Sequence, residues 1–167
     1  HAFEDPLFIE NLRSVESIRA PSGNTNFVRL IDFAPRADQP YLVTEFVPGQ
    51  SLRARLNERG AIPFNEALQV LIQIVGALRF AHSSDIIHLN ITPDDIHLTE
   101  GGDVKISGYG LGEIAVRSAL EIGPTKTTES GQTLSAFFKY KTKKQKAGQA
   151  GGVKDDIFAL GILLHVV

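Results

Sequence analysis

Apolar residues follow two rhythms along this chain, and the breaks between them mark its elements. Phe8, Leu12, Val15 and Ile18 recur at spacings of three and four, which predicts a helix over 6–19. Pro21-Ser22-Gly23-Asn24 ends it. Residues 26–33 and 41–46 are short apolar runs around a polar turn over 35–40, the pattern of an antiparallel hairpin. Val47-Pro48-Gly49-Gln50 stops the second strand, and Ser51 is placed to N-cap a short helix over 52–56. The strongest helical period lies over 64–82. Ala67, Leu68, Leu71, Ile72, Val75, Leu78 and Ala81 hold it, and Val70, Ile74 and Ala77 widen it, so this helix is expected to be mostly buried. Strands over 96–98 and 104–106 flank Glu100-Gly101-Gly102-Asp103, a hairpin-turn composition. Residues 112–154 are rich in Gly, Thr, Ser and Lys without a clear period, and read as a long loop with at most short helical stretches. An apolar helix begins at Asp156 and runs to Val167.

Composition narrows the class. A chain of 167 residues can build about one core, and 43% hydrophobic residues exclude a disordered composition. The formal charge of −2 gives no global pull toward nucleic acid or a membrane surface. No apolar run approaches the ~20 residues of a membrane-spanning helix. The chain opens on His-Ala-Phe-Glu-Asp-Pro, not on a secretory leader, and a cytoplasmic setting is expected. The absence of Cys excludes disulfides and thiolate metal sites; the absence of Met suggests an internal piece of a longer protein.

The chemistry concentrates in residues 86–112. His88-Leu89-Asn90-Ile91-Thr92-Pro93-Asp94-Asp95 precedes the two short strands, and Gly108-Tyr109-Gly110 follows them. This arrangement resembles the catalytic loop H-R-D-L-K-P-x-N and the D-F-G element of eukaryotic-type protein kinases. Other segments match in the same order. Asn26 to Asp32 resembles the family strand N-I-V-R-L-x-D. Tyr41 to Leu52 resembles the hinge that lines the adenine pocket, and Asp156 to Leu164 resembles D-x-x-S-L-G-x-x-L, whose Asp anchors the catalytic loop. The resemblance covers nearly the whole chain and implies an α+β, protein kinase-like fold. Residues 1–47 would be the last part of the small lobe and 48–167 the first part of the helical large lobe. The activation segment would lie over 111–154. The Gly-rich loop and the strand Lys of the family would precede residue 1.

The departures from the family pattern carry the functional expectation. Phosphoryl transfer needs a group that accepts the substrate hydroxyl proton and metal ions that neutralise the phosphates. Asn90 stands for the catalytic Asp, Thr92 for the Lys that contacts the transferring phosphate, and Gly108 for the metal-binding Asp. Asp95 replaces a metal-binding Asn and could hold one magnesium contact, since carboxylates suit hard cations. Leu89 replaces the Arg that grips a phosphorylated activation loop. The helix Glu that pairs with the strand Lys aligns with Asn11, Glu10 lying one residue away. The A-P-E element reads Thr142-Lys143-Lys144, with a charge reversal at Lys144. Thr44, the backbone of Glu45 and Val47, and His97 would surround adenine, with His97 in place of an aliphatic floor. Any ATP or magnesium binding is expected to be weak. By contrast, Val15, Leu30, His88 and Tyr109 match the stacked side chains that link the two lobes.

Several residues admit a plainer reading. His88 reads as a catalytic or metal histidine, or as a buried ring bonding backbone; the resemblance implies the second. Asp94-Asp95 is either a metal pair or a solvated turn. Gly108 to Gly112 looks like a phosphate-binding glycine loop, but its place after a late strand fits a degenerate D-F-G. The basic run Lys139 to Lys146, with Phe137, Phe138 and Tyr140 interleaved, is either a contact for an acidic surface or a solvated loop. Thr125, Thr127, Thr128, Ser130 and Thr133 fall where activation segments are phosphorylated. Three functions remain open. One is a regulatory or scaffolding pseudokinase acting through protein partners, with no nucleic acid expected. The others are a divergent Ser/Thr kinase of weak activity and a non-hydrolysing ATP-sensing module.

Overall fold

The computed structural model describes residues 21–37, 41–122 and 138–166. The helix expected over 6–19, with Glu10, Asn11 and Val15, lies outside the described residues, as do the hydroxyl residues from Thr125 to Thr133. The described elements are β1 (Leu30–Ala34), β2 (Tyr41–Thr44), β3 (Gly49–Ser51), α1 (Leu52–Arg59), α2 (Phe64–His82), β4 (Ile96–Thr99), β5 (Val104–Ile106), α3 (Gly112–Ile122), α4 (Lys143–Lys146) and α5 (Val153–Val166). They form a mixed α+β arrangement in which every strand pair is antiparallel: β1 pairs with β2, and β3-β4-β5 make a second sheet.

The single strand expected over 26–33 divides in two. Its first part runs beside β5: Val28 N donates to Ile106 O at 2.9 Å and Ile106 N to Asn26 O at 2.7 Å. The Asn26 side chain adds a bond to Val104 O at 2.9 Å. Only from Leu30 does the chain turn to pair with β2, and the register slips between Leu30 and Asp32. Competition between two sheets for one apolar run splits it.

Val47 to Gln50 does more than end a strand. Gly49 and Gln50 enter β3, which pairs Gly49 with Thr99 and Ser51 with His97. Gly49 has φ +135, and a Cβ there would lie 2.1 Å from Leu98 O, so only glycine lets the two backbones approach. Ser51 caps α1 as expected, its Oγ accepting from Ala54 N at 3.1 Å; the helix continues past Leu56 to Arg59.

The long helix α2 is present over its full expected span, but it is less buried than expected. Val70, Ile74, Ala77, Leu78 and Ala81 form the buried stripe, whereas Leu68, Ile72 and Val75 are exposed. The buried stripe joins one core with Phe27, Leu52, Ile91, Ile96, Ile106 and Leu163. The expected loop over 112–154 is corrected at its start, where α3 forms an 11-residue helix. Leu111, Ile114, Ala115 and Ala119 are spaced for one helical face, and Glu113 and Arg117 pair at i,i+4 on the outside. The Gly- and Lys-rich stretch that follows masked this short period. The last helix begins at Val153, three residues before Asp156.

Gly49→Ala should destabilise the fold by about 2–4 kcal/mol through backbone collision and positive-φ strain. Gly60→Ala, at φ +73 with nothing within 4 Å of its Cβ, should cost only about 1 kcal/mol. Urea unfolding of both variants checks the difference; equal losses would refute it.

Candidate functional site

The loop between α2 and β4 is held from α5. Asp156 is fully buried, and its Oδ2 accepts from His88 N at 2.9 Å and from His82 Nε2 at 2.8 Å. Its Oδ1 accepts from Leu89 N at 2.7 Å. Leu89 has φ +64, a conformation that a branched residue avoids unless its surroundings impose it. His88 Nε2 donates to Ser107 O at 2.7 Å, which leaves Nδ1 to accept from Asn90 N at 3.3 Å. His88 is thus a buried ring bonding backbone. Its ring meets Tyr109 edge-on at 4.5 Å, and Phe27 meets the other side of Tyr109 at 4.9 Å. The stack that links the strands to the loop therefore takes Phe27, while Leu30 is half-buried in β1. Burial pushes the Tyr109 hydroxyl far up, and among the described residues that hydroxyl has no hydrogen-bond partner.

The residues in the degenerate positions gather in one place. Thr92 turns inward: its N and Oγ1 donate to Asp95 Oδ2 at 3.0 and 2.7 Å. Gly108 sits at φ +83, and a Cβ there would lie 3.1 Å from Asp95 Oδ1. Burial pushes the Asp95 carboxyl up, against the pull of the Thr92 hydroxyl and the Lys141 ammonium. Asp94 instead faces outward toward Arg53 on α1, Nε to Oδ2 at 3.4 Å. The two acids therefore do not form a pair. A magnesium ion would find one uncommitted carboxylate oxygen, and no group of three His, Asp or Glu gathers among the described residues. That donor set does not fit a metal–phosphate centre.

The hinge groups stand apart from this cluster. Thr44 is exposed at the end of β2. The Glu45 carboxylate is paired with Lys105 of β5, whose hydrogen bond holds it below the usual carboxylate range, and Glu45 N donates to Arg29 O at 2.9 Å. Among the described residues the Glu45 carbonyl and the Val47 amide take no backbone bond, so both could serve a purine edge. His97 lies on β4 opposite Ser51 and shares a hydrogen bond of 2.9 Å with Ser107 Oγ. Burial lowers its pKa.

Two residues at the site were not read from the sequence as belonging to it, one of them taken only as a member of the basic run. Ser107 is one. The other is Lys141, whose Nζ donates to Asn90 Oδ1 at 2.6 Å from a side chain only 1% exposed. Burial lowers its pKa to about 8, with Asp95 and Asp156 opposing. The basic run is thereby broken: Lys139, Lys143, Lys144 and Lys146 are exposed, and Lys141 and Tyr140 are inside. Lys144, the charge reversal in the A-P-E position, is exposed, while Gln145 is buried and donates to Leu89 O at 2.9 Å. Thr142 caps α4 and donates to Asp155 Oδ1 at 2.5 Å. No local signal separates Lys141 from its neighbours; Ser107 could have been found from its place directly before Gly108.

Comparison with known proteins bears on this geometry. A family model described as the protein kinase domain matches residues 9–167. The chain belongs to the protein kinase family. It is 30% identical over 166 residues to a probable serine/threonine-protein kinase of Clostridium acetobutylicum, covering 99% of this chain and 24% of that protein. It is 29% identical over 160 residues to the serine/threonine-protein kinase PrkC of Bacillus subtilis, covering 96% and 24%. With PknL of Mycobacterium tuberculosis it shares 27% over 161 residues, covering 96% and 38%. The chain thus spans about a quarter of the length of the first of these kinases. In this kinase-family chain no described helix is long and apolar enough to cross a membrane.

The sign of the Lys141 pH effect follows from its lowered pKa. Below about 8 both folded and unfolded chains hold the proton, and the burial cost is present in full. Between there and the ordinary 10.5 only the unfolded chain holds it, so stability climbs as pH rises. Relative to Lys141→Met, the native chain should gain at most about 1.4 kcal/mol per pH unit between pH 8 and 10. Urea midpoints across that range check it; parallel curves would refute it.

Proposed function

We propose that this chain is a kinase-like regulatory or scaffolding module, a pseudokinase that signals by binding protein partners with little or no phosphoryl transfer. The observation that carries this reading is the joint state of three positions. Asn90 offers an amide whose oxygen is already taken by Lys141, and an amide takes up no proton near neutral pH. Thr92 spends its hydroxyl on Asp95. Gly108 offers no ligand at all. The contacts that keep the loop in shape persist beside these losses, through Asp156, His88 and Tyr109. On this reading residues 1–47 belong to a small lobe and 48–167 to a large lobe, in a cytoplasmic protein. The exposed lysines 139, 143, 144 and 146 are available to an acidic partner surface.

A second reading, a module that senses ATP without hydrolysing it, draws on the hinge. Glu45 carbonyl and Val47 amide are open to an adenine edge, with Thr44 beside them and His97 as a polar floor. Among the described residues of the loop, Asp95 offers magnesium one uncommitted carboxylate oxygen, too little for a metal–phosphate centre, so ATP binding should depend little on the metal.

Phosphoryl transfer by the complete parent chain should be at least about a thousandfold below that of a working kinase, since two lost groups each supply a few kcal/mol at the transition state. A radiolabel assay tests it; labelled product that disappears in Asp95→Ala would show a working, divergent kinase. His97→Leu should tighten adenosine binding by about 1 kcal/mol by restoring an apolar floor. Calorimetry in magnesium and in chelator measures this; tight native binding of ATP that vanishes in chelator would overturn the weak-metal reading.

A further inference from the structure

Lys141 carries an ammonium group into a loop whose own lysine position is occupied by Thr92. An ammonium only donates, so the Asn90 carboxamide must turn its oxygen toward Lys141, as the 2.6 Å contact shows. The two N–H groups of Asn90 Nδ2 then point the other way. Asn90 is half-buried, and among the described residues its Nδ2 donates to nothing. Position 90 therefore presents hydrogen-bond donors where hydroxyl activation would need an acceptor.

We propose that Lys141 is a positioning residue that holds Asn90 as a donor, so that this loop receives a phosphate oxygen, such as the end of a nucleotide's phosphate chain, in place of a substrate hydroxyl. The proposal rests on the reading of the chain as a binding module. Two carboxylates face the ammonium. Asp156 on α5 is committed to three donors. Asp95, before β4, commits Oδ2 to Thr92, and its charge opposes an incoming anion. The ammonium balances that charge. Its removal takes one of the opposing charges from Asp95, leaving His88 and the Thr92 bonds, and frees the amide to turn its oxygen outward, and both changes disfavour phosphate.

The test measures ATP, adenosine and inorganic phosphate binding by calorimetry in chelator, on the complete parent chain. Native protein should bind ATP more tightly than adenosine. Lys141→Met and Asn90→Leu should each weaken ATP by about tenfold, the loss of one hydrogen bond to a charged group, and leave adenosine unchanged. Lys141→Arg should keep most of the ATP affinity. Between pH 7.5 and 9.5 the native preference for ATP over adenosine should fall, and in Lys141→Met it should stay flat. In asparagine-labelled protein the Asn90 side-chain N–H signals should shift with ATP and not with adenosine. Inorganic phosphate moving the same signals would assign the subsite to phosphate alone, without the nucleoside. ATP that binds no better than adenosine, or better in Lys141→Met, overturns the proposal, the second by making Lys141 a plug. Should Lys141→Met fail to fold, the arginine variant, the pH series and the N–H signals decide. Labelled phosphoryl product from the native chain would instead sink the binding-module reading.

Discussion

The Asp156 carboxylate, buried and shared among three donors, is the interaction on which the rest of the site depends. It takes the N–H groups of His88 and Leu89 and the ring of His82, so α2, the loop and α5 meet at one charged group. A buried carboxylate is tolerated only when its lone pairs are filled, and here three converging donors fill them. The same bonds hold Leu89 at positive φ. Once Leu89 is fixed, His88 is aimed at Ser107 O and its ring is set against Tyr109. The shape of the loop therefore rests on a residue 67 and 68 positions away as well as on the loop's own side chains.

That separation lets residue types at 90, 92 and 108 differ from the family pattern while the loop keeps its shape. The groups that shape the loop are backbone amides, aromatic edges and one distant acid. The positions where the family carries its transfer groups are 90, 92 and 108, and of these Thr92 now helps to hold the turn, through Asp95 and the Asp94 amide. Their replacement leaves the frame standing and changes its contents. Thr92 and Asp95 satisfy one another, Asn90 is matched by Lys141, and Gly108 lets the backbone pass close to Asp95, where a Cβ would lie 3.1 Å from Oδ1. The result is a polar cluster that is largely self-satisfied. One exception is the Tyr109 hydroxyl, buried without a partner among the described residues, at a cost of about 1–3 kcal/mol for such a group.

Much of this was legible along the chain. The α2 period, the Ser51 cap, the β4–β5 hairpin and the motif order that marks the kinase family all appear as local spacing. The replaced residues at 90, 92 and 108 needed only their offsets from His88 and Pro93. Other features were not legible for identifiable reasons. The run over 26–33 was equally suited to two sheets, and which partner it met at each residue depended on β5 and β2. The period of α3 was short and was followed by a stretch without one. The outward face of α2 carried Leu68, Ile72 and Val75, and apolar periodicity alone cannot say which apolar stripe is covered.

The sequence by itself determined the order of elements, the family and the residue types that stand at 90, 92 and 108, because these are properties of residue type and spacing. Only the tertiary structure decided where the charges went. Lys141 sits among exposed lysines in sequence, yet it alone is buried, because the loop 51 residues earlier offers an amide oxygen and nearby carboxylates for its ammonium. Glu45 is drawn to Lys105 across 60 residues in the same way. Burial of a charge depends on what lies opposite it, and no rhythm along the chain records that.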